Sequence, residues 1–255
     1  MRRSFFLFFI LILTGAAYSA SCARNISRPN SSVFTGSLQD TSATFGFQNT
    51  NPALLKRETL SYSVILKGIK VGSANLSFVG PIKFQRQDAN LVIFSSSALN
   101  FSDIEKIYAN PPDYLPLRIE RDLNLWGNRI KISEEYDQKQ NSVRITRSRV
   151  KPNIINLDSN IQNIILLVYK YRDIEKLEIG QSDLFNLPTK KINIKLIRQE
   201  AVKVPAGIFQ AYLFESDPAG YKFWLSVDKD KLPLKLQGFS YLGATSLVLS
   251  KAEAD

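Results

Sequence analysis

The chemistry open to this chain rests on carboxylates, lysines, tyrosines and one thiol. Its 255 residues contain no histidine and a single cysteine. Without histidine there is no Ser-His-Asp or Cys-His catalytic unit, and no imidazole to ligate zinc or haem. One cysteine makes neither an intrachain disulfide nor a thiolate cluster. General acid–base work therefore falls to Asp and Glu, with Lys and Tyr behind them. Glu134-Glu135 is the first candidate. Neighbours on a strand point to opposite faces, so these two carboxylates cannot act as a pair. Glu134 shares its face with Ile132 and Tyr136, which sets a carboxylate on a mostly apolar surface. Pairing with an arginine is the ordinary outcome there, and a tuned catalytic acid the rarer one. Asp228-x-Asp230 opens like a calcium loop but lacks the Gly and later Glu of an EF-type site, so a strand-connecting turn explains it better. The residues point to no catalytic, cofactor-binding or metal-binding site.

The thiol has a different meaning. Met1-Arg2-Arg3, the apolar run Phe5–Leu13 and the small residues Thr14-Gly15-Ala16-Ala17 have the layout of a secretory signal peptide. The run is too short to span a bilayer, which takes about 20 residues. Ser19-Ala20-Ser21-Cys22 then resembles the lipobox of bacterial lipoproteins, whose cysteine receives diacylglycerol and becomes the mature N-terminus. Ser19 stands where that pattern prefers Leu, Val or Ile, and an ordinary cut after Ser19 competes. Such a cut would leave Cys22 as an exposed thiol, a liability in an oxidising compartment, so lipidation at Cys22 is the favoured reading. The expected location is the periplasm or outer membrane of a bacterium, with the membrane held through that lipid.

Charge follows from the same cut. The 33 basic residues lose Arg2 and Arg3, leaving 31 against 23 acidic and a formal charge of +8. A basic exported chain favours anionic partners such as lipid headgroups or acidic cell-wall polymers. Arg144, Arg147, Arg149, Lys151, Lys190, Lys191 and Lys195 gather around one segment. Near Trp126 and Tyr136 they would suggest nucleic acid in a cytoplasmic protein. Export removes that partner, and a solvated outer face is the plainer explanation.

The elements that must position these residues are mostly strands. Residues 22–57 are rich in Ser, Thr, Asn and Gly and read as a flexible tether after the 1–21 signal peptide. From Thr59 the pattern has period two. Ser61–Leu66 and Ile69–Phe78 form a hairpin around Lys67-Gly68, and a polar turn over Gln87–Asn90 precedes a strand at Leu91–Phe94. Leu117, Ile119, Leu123 and Leu125 alternate with polar residues, Gly127-Asn128 turns the chain, and Ile130, Ile132 and Tyr136 follow. Ser159-Asn160-Ile161-Gln162 fits a capping box ahead of a helix reaching about Tyr171. Strands return from Lys191 to Leu249. The expected fold is mainly β: a single antiparallel, highly curved sheet or partly open β-barrel over 58–252, with ten or eleven strands and one substantial α-helix packed on or in it. Tyr62, Phe78, Phe94, Tyr212, Phe214, Tyr221, Phe223 and Trp224 fall at strand spacing and suit core filling, though a wide barrel would leave a ligand cavity among them.

The order of these motifs resembles the exported bacterial family catalogued as domain of unknown function 3108. The matching pieces are Leu60-Ser61-Tyr62 through Gly68–Ala74, Asp113-Tyr114-Leu115-Pro116-Leu117-Arg118, Glu135-Tyr136-Asp137, the Leu157 to Arg172 segment, Val204–Ala211 and Trp224–Leu234. The resemblance implies an envelope protein dominated by antiparallel β structure and brings no catalytic residues with it. Three functions are therefore expected in this order: a module binding or carrying an apolar or amphiphilic envelope molecule, an assembly factor contacting other envelope proteins, and a carboxylate-based hydrolase.

Overall fold

The computed structural model describes residues 56–240 and 243–254. Cys22, the signal peptide and nearly all of the tether lie outside the described residues. Eight strands come first: β1 (Glu58–Leu66), β2 (Ile69–Phe84), β3 (Gln87–Ala98), β4 (Phe101–Ala109), β5 (Pro116–Leu125), β6 (Asn128–Asp137), β7 (Ser142–Arg147) and β8 (Val150–Asn156). A helix, α1 (Ile164–Asp173), follows. Six more strands complete the chain: β9 (Ser182–Leu187), β10 (Lys190–Val204), β11 (Gly207–Asp217), β12 (Tyr221–Ser226), β13 (Pro233–Ser240) and β14 (Gly243–Ala254).

All fourteen strands form one antiparallel sheet in the order β8-β7-β6-β5-β4-β3-β2-β1-β14-β13-β12-β11-β10-β9. Each strand pairs with its sequence neighbour, and β1 pairs with β14, so the first and last strands join the two halves. The edges are β8 and β9. The chain passes from one edge to the other through residues 157–181, which include α1. The sheet is not closed by strand pairing.

Local chemistry sets the turns. Lys67 and Gly68 have φ of 49° and 82°, and Trp126 and Gly127 have 53° and 82°, the doubly positive geometry that matches tight hairpins to strand twist. At Gly72 the need is space: a Cβ there would lie 2.2 Å from the Ser97 carbonyl oxygen on β3.

The helix departs from the expected start. Its N-cap is Asn163, whose Oδ1 accepts from the Ile165 and Leu166 amides at 2.8 and 3.3 Å. The Ser159–Gln162 box is not a cap. Ser159 Oγ instead accepts from the Asn186 side chain, and Gln162 Oε1 accepts from the Asn186 amide at 2.9 Å. These residues are recruited by the edge strand β9, where Ile161 and Asn186 make a parallel bridge. Gln138, from the β6–β7 turn, holds the same segment. Its Nε2 donates to Ile161 O and Pro116 O, and its Oε1 accepts from the Ile161 amide, all at 3.0 Å. One short segment thus clasps both halves of the sheet.

Nine of the ten helical residues are buried. Phe78 of β2 meets Tyr169 at 5.5 Å between ring centroids, while Tyr171 meets Phe214 of β11 at 4.7 Å and Phe223 of β12 at 5.7 Å. One apolar cluster joins the helix to strands of both halves. The first six helical residues, Ile164–Tyr169, are apolar or aromatic, and the charged residues Lys170, Arg172 and Asp173 fall in the last turn.

Three strands exceed the expected count: β4, β8 and β9. In β4 the buried positions include Asp103 and Glu105, which hide the alternation. β8 is exposed along almost its whole length, and β9 is short. The turn expected at Gln87–Asn90 is displaced: Gln85 and Arg86 take positive φ of 48° and 68°, and Gln87–Asn90 continues β3. The Gly127-Asn128 turn shifts back by one residue to Trp126-Gly127.

Candidate functional site

Two places in the fold gather side chains with functional chemistry. The first lies inside. Alternation along β4 sends Asp103 and Glu105 inward beside Ile107, and β5 sends Arg121 inward beside Ile119 and Leu123. Register then brings Glu105 opposite Arg121, and Glu134 of β6 opposite Ile119. Asp103, Glu105, Arg121 and Glu134 are 0, 1, 6 and 6% exposed. Arg121 Nε donates to both Asp103 oxygens at 2.8 and 3.0 Å, and Nη2 donates to Oδ2 at 2.5 Å. Tyr136 donates its hydroxyl to Glu134 Oε2 at 2.5 Å.

One guanidinium cannot neutralise three carboxylates, and burial favours the neutral acid. Burial pushes the Glu105 carboxyl up to about 8, against the pull of Arg121. Its Oε2 has no hydrogen-bond partner. Burial also raises Glu134, opposed by the Tyr136 hydrogen bond and by Arg121. A carboxylic acid poised near neutrality is what general acid catalysis needs. A substrate would also need to touch it, and 1% exposure leaves no approach. The cluster is a sealed polar network in the core.

The expected residues fall as follows. Glu134 is buried and Glu135 is exposed, pairing with Arg118 at 3.3 Å, so the two carboxylates do lie on opposite faces. Asp228 accepts from the Asp230 amide at 3.0 Å in the β12–β13 turn. Among the described residues no group of three or more Cys, Asp or Glu is arranged to hold a metal ion. Seven of the eight aromatics named above are buried, with Tyr212 half-buried. The basic residues divide: Arg144 to Lys151 lie on or beside β7 and β8, while Lys190, Lys191 and Lys195 lie on β10. Sequence reading missed Asp103, Glu105 and Arg121. Arg121 carried a visible signal, since it stands in phase with Ile119 and Leu123 on the buried face.

A second buried pair fixes the end of α1. Arg172 donates to both Glu58 oxygens, through Nη2 at 2.9 Å and through Nη1, tying the helix to the start of β1. Both are nearly buried, and this role is positional.

The other place is a groove of about 570 Å³ at one end of the sheet, between the β3–β4 and β5–β6 hairpin tips. Leu99, Phe101 and Trp126 supply apolar walls, and Ser97, Ser102 and Asn124 supply neutral polar groups. Leu99 is 95% exposed and Trp126 58%. The Trp126 amide donates to Asn100 O at 2.9 Å, which locks the two tips together. The volume lies within the roughly 300–1,000 Å³ range of small-molecule sites.

Among the described residues, the fold and these sites define an antiparallel β protein built as one open fourteen-stranded meander with one helix in the segment that joins its edges. The chain belongs to the family described as "Protein of unknown function (DUF3108)", whose model matches residues 61–250. Among curated proteins none matches the sequence significantly. Among solved structures it is similar to a "Beta-barrel-like Protein of Domain of Unknown Function DUF1849" from Brucella abortus, with a TM-score of 0.51 and 9% identity over 79% of this chain and 98% of that one. That likeness is one of fold. A "putative lipoprotein" from Parabacteroides distasonis aligns over 78% of this chain and 96% of that one at 9% identity, with a TM-score of 0.27.

Proposed function

We propose that this chain is an exported, non-enzymatic protein of the bacterial envelope, anchored through a lipid on Cys22, whose folded domain binds an amphiphile in the rim groove. The observation that carries the reading is the groove itself: Leu99, Phe101 and Trp126 beside uncharged hydroxyl and amide groups, at one end of the sheet. That combination suits an acyl chain with a neutral polar head. A non-enzymatic role is supported by the sealing of the acid cluster away from any substrate.

The sheet wraps around α1, a reading supported by the burial of the helix and by its ring contacts to β2, β9, β11 and β12. A helix in that position takes the space a hollow carrier would leave open. The amphiphile is therefore assigned to the rim and not to the interior.

The test is titration of the purified full-length exported chain with a fluorescent fatty-acid probe. Saturable binding is expected, weakened at least about tenfold by Trp126→Ala, since removing an aromatic anchor typically costs 1.4 kcal/mol or more. Absence of probe binding together with absence of any co-purified amphiphile would overturn the reading.

The assembly reading keeps one observation in its favour. β8 is an unpaired edge with six of its seven residues exposed. It also carries Lys151 and Pro152, the residue types that protect an edge from strand addition, which lowers its claim.

A further inference from the structure

Four consecutive hairpin turns, β1–β2, β3–β4, β5–β6 and β7–β8, stand at the same end of the sheet because each joins antiparallel neighbours. Each presents one large apolar side chain to solvent: Ile69 at 69% exposure, Leu99 at 95%, Trp126 at 58% and Val150 at 57%. The opposite ends of the same strands differ. There the turns at Gln85-Arg86, 110–115 and 138–141 contribute no exposed large apolar residue.

Charge follows the same division. The tip segments 66–70, 97–102, 124–130 and 146–151 contain Lys67, Lys70, Arg129, Arg147, Arg149 and Lys151 and no acidic residue. Of these, Arg129 is shared with Asp122, which accepts from its Nε at 2.8 Å. Leu99 and Trp126 take positive φ of 43° and 53°. Turns of this kind favour Asn, Asp or Gly there, and a bulky side chain strains the backbone. At Leu99 and Trp126 the tips therefore carry large exposed apolar side chains at turn positions that Asn, Asp or Gly more often fill.

We infer that this row of tips docks on a lipid bilayer that exposes anionic headgroups. Apolar tips would enter the interface while the flanking cations meet the headgroups, the arrangement of peripheral membrane anchors. Neighbouring tips are two strands apart, about 10 Å, so the four make a row of roughly 30 Å. A flat lipid surface can meet all four together. The inference goes beyond amphiphile binding in the groove, because Ile69 and Val150 lie outside it.

The test is co-sedimentation of the full-length exported chain carrying Cys22→Ser, so that no acyl chain contributes, with vesicles of mixed phosphatidylglycerol and phosphatidylethanolamine. Vesicles of phosphatidylcholine alone serve as the neutral reference. Binding is expected to the anionic vesicles, to fall steeply with added salt, and to drop at least about tenfold in an I69S/V150S chain. That chain should still bind the fatty-acid probe, which separates this proposal from groove binding. A second variant, L99N/W126N, should also lose vesicle binding. Its urea midpoint should stay level or rise, because Asn accepts the positive φ that Leu and Trp resist. Equal binding to neutral and anionic vesicles, no binding to either, or unchanged binding by both variants would overturn the inference.

Discussion

Glu105 sits opposite Arg121 on the buried face of β4, with one carboxylate oxygen unpaired. Arg121 is already committed to Asp103 by three short contacts. A carboxyl group raised from its ordinary 4.5 to about 8 keeps its proton in the fold at pH values where the unfolded chain has released it. The folded state then binds more protons than the unfolded state between those two values. Stability must fall as pH rises through that window and level off above it. Glu134, raised by the same burial, acts in the same direction. Glu105→Gln mimics the neutral acid with nearly unchanged shape. Urea unfolding at pH 5 and pH 8 should show the native chain losing stability toward pH 8, with the variant flatter and more stable than native at pH 8. A variant less stable at pH 8 would mean that the ionised carboxylate is the stabilising form. Part of this cluster was readable beforehand. Glu134 stood out as a carboxylate in phase with Ile132. Asp103 and Glu105 did not, because acids on a buried face erase the hydrophobic alternation by which a strand is recognised.

At the level of elements, the strands with one apolar face were legible and those without were not. β2, β5, β6 and the first half of β10 alternate between buried and exposed residues, while β8 has no buried face to reveal it. The helix was visible through its apolar run, but its start was not. Ser159 and Gln162 have the types and spacing of a capping box, and only contact with Asn186 shows that their side-chain hydrogen bonds go elsewhere. Tertiary partners decide that choice, and sequence spacing cannot display them. The clasp has a measurable role. Gln138→Ala removes three hydrogen bonds and leaves the Ile161 amide without its side-chain acceptor. The expected loss is about 1–3 kcal/mol in chemical denaturation, with faster hydrogen exchange at the Ile161 amide. An unchanged exchange rate there would mean that the two halves hold together without the clasp.

For the whole molecule, the sheet order bears on the proposal that binding falls at the rim. In a meander whose first and last strands pair, the free edges are β8 and β9, and the chain runs between them through a helix with nine of its ten residues buried. Tyr62, Tyr169, Tyr171 and Phe214 are fully buried around that helix, so these aromatics act as filling. The sequence distinguished strand from turn near Trp126 but carried no sign that the side chain would be exposed. Exposure at a hairpin tip depends on which neighbours fold over it. No helix among the described residues is long and apolar enough to cross a membrane. The proposed binding surface is the rim groove, and the two tryptophans of the chain allow a direct test. Trp126 stands at the groove, whereas Trp224 is buried and donates from Nε1 to Glu200 at 2.7 Å. Titrating the native chain and Trp126→Phe with brominated stearate, a contact quencher of indole fluorescence, reports which tryptophan the acyl chain touches. The account predicts saturable quenching of the native chain that disappears in the variant. Quenching that persists in Trp126→Phe, where Trp224 alone remains, would place the ligand away from the rim groove and contradict it.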